Sequence, residues 1–150
     1  MTKGTKDSPV TFEGKWKYQS YRPDHVSLGT EETVPTFVRW SPTGVVNINE
    51  GGTKGQLEFP GAPIKLDLKC KVVAGTPTKV FITAVMKLPG GKQFTNELAG
   101  VFVPAKLGQD ISAVNPLVVR GTIVQTSDDI APANKQPKFT TGYFVLEPTK

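Results

Sequence analysis

Residues 64–74 alternate: Ile64, Leu66, Leu68, Cys70, Val72 and Ala74 are apolar, and Lys65, Asp67, Lys69 and Lys71 stand between them. A period of two sustained this long is a strand with one face on a core and the other in water; an amphipathic helix would repeat near 3.6. After Gly75-Thr76-Pro77-Thr78, the residues Val80, Ile82, Ala84, Met86 and Leu88 repeat the pattern. Pro89-Gly90-Gly91 then turns the chain into residues 94–103. Three consecutive antiparallel strands are predicted, joined by connections too short for parallel crossovers.

The same alternation opens the fold. Over residues 10–21, Val10, Phe12, Gly14, Trp16, Tyr18 and Ser20 share one face, and Thr11, Glu13, Lys15, Lys17 and Gln19 share the wet one. Residues 22–33 read as a loop before an apolar run over 34–40. Ser41-Pro42-Thr43-Gly44 has turn chemistry and predicts a hairpin with residues 45–49 as its second arm. Residues 50–55 turn into a short strand at 56–59. In residues 104–115, Leu107, Ile111 and Val114 have helical spacing, enough for one or two turns before Pro116. Residues 117–125 read as a strand, 126–138 as a loop and 139–146 as the last strand.

With 15 glycines and 13 prolines punctuating eight or nine strands, the chain is all-β. An antiparallel meander of this size must close into a barrel or split into a β-sandwich to protect its edges. The two 11–12-residue alternations favour an up-and-down β-barrel of about eight strands over the sandwich. The 150 residues fit one domain, taken as 10–150 behind a polar tail at 1–9.

No apolar run approaches the roughly 20 residues of a membrane-spanning helix, so no membrane partner is expected. The single Cys70 excludes an internal disulfide and a multi-cysteine zinc site, and the polar first nine residues lack a signal-peptide core, which together imply a cytoplasmic protein. The net charge is +5, yet only Arg22, Arg39 and Arg120 among the 18 basic residues are arginine. That composition argues for solvated lysine faces rather than a nucleic-acid groove.

The segment Phe12-Glu13-Gly14-Lys15-Trp16-Lys17-Tyr18 resembles the first-strand signature of the calycin superfamily, the lipocalin-like and avidin-like barrels, through Gly14 and Trp16. The resemblance implies an antiparallel barrel with Trp16 closing one end beneath a cavity, against a basic side chain of a late strand. Arg120 is the arginine of a late strand; its segment is apolar on both faces, so alternation allows the outer face or the interior, and the resemblance implies the interior. The paired cysteines common in secreted lipocalins are absent, and beyond Trp40 the spaced tryptophans that surround biotin in avidins are not recognisable.

An eight-stranded barrel is either filled by its own side chains or wide enough for one small ligand. Gly14, Gly100 and Gly121 would open the interior, and Phe12, Trp16, Phe94 and Phe102 would fill it. Tyr18, Ser20 and Asn96 are polar on faces read as inward, which suits the few convergent polar groups of an otherwise apolar site. Trp40, beside the Ser41-Pro42 turn, either lines the mouth or covers the hairpin. The ligand-binding candidates are therefore Trp16, Tyr18, Ser20, Trp40, Asn96 and Arg120.

No residues combine into a catalytic set or a metal site. His25 is the sole histidine, in a loop. Cys70 lies on the face opposite Lys65, Lys69 and Lys71 and reads as a buried, inert thiol. Glu31-Glu32 and Asp128-Asp129 are contiguous loop pairs, and the glycine-rich turns lead into no helix. The leading expectation is a protein that binds a small, mostly apolar molecule and needs no cofactor. The alternatives are a barrel-type isomerase or cyclase, and a lysine-rich module for an anionic partner.

Overall fold

A computed structural model of the protein describes residues 11–23, 37–106, 108–110, 117–128 and 138–149. Nine strands follow one another: β1 (Gly14–Pro23), β2 (Phe37–Arg39), β3 (Gly44–Ile48), β4 (Lys54–Glu58), β5 (Lys65–Val73), β6 (Lys79–Lys87), β7 (Gln93–Pro104), β8 (Leu117–Gln125) and β9 (Thr141–Pro148). Every pairing is antiparallel. β3 to β9 pair in succession, and β1 joins β3 on one edge and β9 on the other, which closes an eight-stranded barrel. Closure leaves these strands without the open edges that an antiparallel sheet would otherwise expose.

β2 is the extra strand, and its position corrects the expected hairpin. Tyr21 is opposite Arg39 of β2 and Tyr18 is opposite Gly44 of β3, while β9 occupies the other edge of β1. β2 and β3 therefore lie end to end along one edge of β1. Between those pairs, residues 40–43 face only Gln19 and Ser20 of β1, so two extra residues bulge out of the ladder. Pro42 has no N–H to give to a ladder, which is why the strand breaks here rather than folding back. Outside, the stacked rings of Tyr21 and Tyr143, with centroids 4.9 Å apart, and the edge of Phe37, 5.2 Å from Tyr143, fasten β2 to the wall.

The core is the barrel interior. Val46, Leu66, Leu68, Val80, Ile82, Ala84, Leu98, Val119, Phe144 and Leu146 are buried there; for Leu66, Leu68, Val80, Ile82 and Ala84 the alternation required it. One end is closed by aromatic rings: Phe12 lies 5.3 Å from Trp16 and 5.9 Å from Phe102, centroid to centroid. Phe12 precedes β1 instead of belonging to it.

Gly100 does not open the interior. A Cβ there would fall 2.8 Å from Val119 Cγ1 and 3.0 Å from Phe144 Cζ, so the glycine marks where β8 and β9 side chains press against β7. A Cβ on Gly121 would likewise collide with the Ala99 carbonyl oxygen.

Two further expectations are corrected. Arg120 is exposed on the outer face, because Val119, buried against the core, and Ile123 set the inward phase of β8. Phe139 stands before β9, 68% exposed, in a turn with φ of 68°. The expected tail, the loop with His25, Glu31 and Glu32, and the helical turns at Leu107, Ile111 and Val114 lie outside the described residues.

Candidate functional site

At the end of the barrel opposite Phe12 and Trp16, a cavity of about 520 Å³ opens among the strand ends. Tyr18, Ser20 and Arg22 of β1 line one side, with Trp40, Ser41 and Pro42 of the bulge beside them. Phe94 and Asn96 come from β7, and Ile123 and Gln125 from β8. Leu57, Phe59, Ala62, Ile64 and Leu66, from β4, β5 and the turn between them, complete the wall. Its size suits a small organic molecule. Below it a void of about 20 Å³ lies between Tyr18, Leu57, Asn96 and Ile123 and the layer beneath, where buried core side chains pack.

The bulge makes this mouth. Trp40 N–H donates to the Ser20 carbonyl at 2.9 Å, keeping the chain on β1 while the ladder is interrupted. A Cβ on Gly142 of β9 would come within 3.0 Å of Trp40 Cε3, so the indole occupies room that only glycine leaves there. On the outer side Gln19 holds the turn through both ends of its amide: Nε2 donates to the Ser41 carbonyl at 2.9 Å, and Oε1 accepts from the Thr43 hydroxyl at 2.9 Å. Gln19, expected in water, is buried beneath that turn.

Four expected site residues, Tyr18, Ser20, Trp40 and Asn96, meet in this cavity. Ser20 Oγ and Ser41 Oγ are 3.1 Å apart and hydrogen-bonded. The Tyr18 hydroxyl is pushed up to about 12 by burial, against a smaller opposing effect of its hydrogen bond with Ser20, so it remains a neutral phenol. Trp16 belongs to the closed end and is not among the cavity's lining residues. Arg120 is outside, and the basic partner that the resemblance implied for Trp16 is not supplied by it.

Arg22, Ser41, Pro42, Phe94 and Gln125 were not among the expected site residues. Gln125 ends β8 in phase with Val119, Gly121 and Ile123, which turns its amide inward, but a segment apolar on both faces gives no such phase in the sequence. Arg22 and Ser41-Pro42 were hidden because they read as loop and turn.

Cys70 faces inward, half-buried, and burial pushes its thiol up to about 11. Glu97 is exposed and accepts a hydrogen bond from Thr83 at 2.9 Å. Among the described residues no three His, Cys, Asp or Glu side chains are grouped to hold a metal ion. No protein family, no curated protein and no solved structure matches the chain.

Proposed function

We propose that this barrel binds a small, mostly apolar molecule non-covalently in the mouth cavity. The observation that carries the reading is the cavity of about 520 Å³, walled by Trp40, Phe59, Phe94, Ile123 and aliphatic side chains, with a few polar groups converging on it. Apolar wall area supplies affinity through burial, and the sparse polar groups supply orientation. The calycin resemblance at Gly14 and Trp16 supports the same reading, with Trp40 in the role of mouth residue and Trp16 that of a plug.

The test is a titration of the protein labelled with ¹⁵N, using 2-naphthol and 2-methoxynaphthalene as uncharged bicyclic probes. Chemical-shift changes gathered on Ser20, Trp40, Phe94, Asn96 and Gln125 with either probe are the expected result. Shifts with neither probe, or shifts confined to the outer strand faces, would overturn it.

A further inference from the structure

The cavity wall is satisfied almost everywhere. Ser20 and Ser41 bond one another, Tyr18 bonds Ser20, and Arg22 has its own interaction. Three buried side-chain atoms among the described residues lack a hydrogen-bond partner: Trp16 Nε1, Asn96 Oδ1 and Gln109 Oε1. Of these, only Asn96 lines the cavity. A buried acceptor left unmatched is costly and uncommon, so the position asks for a donor.

The register shows which side chains stand nearest. Asn96 of β7 is directly opposite Gln125 of β8, and both side chains face inward. Gln125 is the nearest amide by sheet geometry, yet its Nε2 donates to the Ser127 carbonyl at 2.8 Å. Ala84, opposite Asn96 on β6, has no side-chain donor. Charge narrows the ligand further: among the described residues no Asp or Glu lines the cavity, while Arg22 does, so the described wall disfavours a cation. The rings of Trp40, Phe59 and Phe94 favour an aromatic body.

Resting on the proposed binding function, we infer that the ligand is an aromatic, non-cationic molecule bearing an O–H or N–H group that donates to Asn96 Oδ1. Asn96 sits where the mouth cavity meets the packed layer below, since it lines both the cavity and the small void beneath. It therefore reads the end of the molecule that enters deepest. Selectivity arises because an analogue without the donor leaves a buried acceptor unpaired.

Calorimetric titration with 2-naphthol and 2-methoxynaphthalene tests this, because the two differ by conversion of the donor hydroxyl to a methyl ether. The naphthol is expected to bind at least ten-fold more tightly, and to shift the Asn96 side-chain amide resonances further than the ether does. Asn96→Leu should abolish the preference for the naphthol over the ether. Where that variant fails to fold, the wild-type comparison decides. Equal binding of both probes, or tighter binding of the ether, overturns the donor assignment and leaves the binding function standing. Binding of neither overturns the function itself.

Discussion

The Thr43 hydroxyl donates to Gln19 Oε1 at 2.9 Å from outside the barrel, although Gln19 belongs to the strand whose inner face lines the cavity. The other end of the same amide takes the Ser41 carbonyl. One side chain thus fixes the turn whose neighbours Trp40, Ser41 and Pro42 form part of the mouth. Gln19→Leu keeps the volume and removes both bonds. It should cost about 1–3 kcal/mol by urea denaturation and weaken naphthol binding several-fold by loosening Trp40. Full affinity with lowered stability would show that the turn does not position the mouth.

The two tryptophans separate by role and can be read separately. In Trp16→Phe the remaining emission comes from Trp40, and probe binding should still change it. In Trp40→Phe the remaining indole sits at the closed end with Phe12 and Phe102, so the change should largely vanish. A persistent response from Trp16 alone would move the site to the other end of the barrel.

Gly100→Ala should destabilise by about 1–3 kcal/mol, because the new methyl would press on Val119 and Phe144 in a filled layer. Denaturation midpoints report it. A neutral effect would mean that this layer yields more easily than its packing indicates.

Tyr18 gives a pH dependence. Its phenol is pushed up to about 12 in the folded barrel, above its ordinary value of 10.0. The unfolded chain releases this proton near 10 and the folded chain retains it, so stability is unaffected well below pH 10. It then falls by up to about 1.4 kcal/mol per pH unit from 10 towards 12. Tyr18→Phe should flatten that part of the stability curve, measured by denaturation at stepped alkaline pH. An unchanged slope would place the loss in other groups.

Much of the fold was legible because strand alternation is local: the inward faces of β1, β5, β6 and β7 follow from which of two neighbours is apolar. The phase of β8 was not legible, since Val118 and Val119 are both buried and the segment is apolar on both faces. Arg120 was misplaced for that reason. Of the candidate site, Tyr18, Ser20 and Asn96 were readable as polar residues in phase with a core face, and Trp40 by its place at a turn.

The sequence by itself determined that the chain is all-β and antiparallel, and which faces of its long strands turn inward, because side-chain direction in a strand needs only local backbone geometry. Only the tertiary structure decided that β2 and β3 run on along β1 instead of forming a hairpin. It alone brought Trp40 over Gly142, buried Gln19 under the turn, and left Asn96 Oδ1 unpaired opposite Gln125. Each of these depends on strand register around a closed ring, a relation between residues far apart in the chain that no local period encodes.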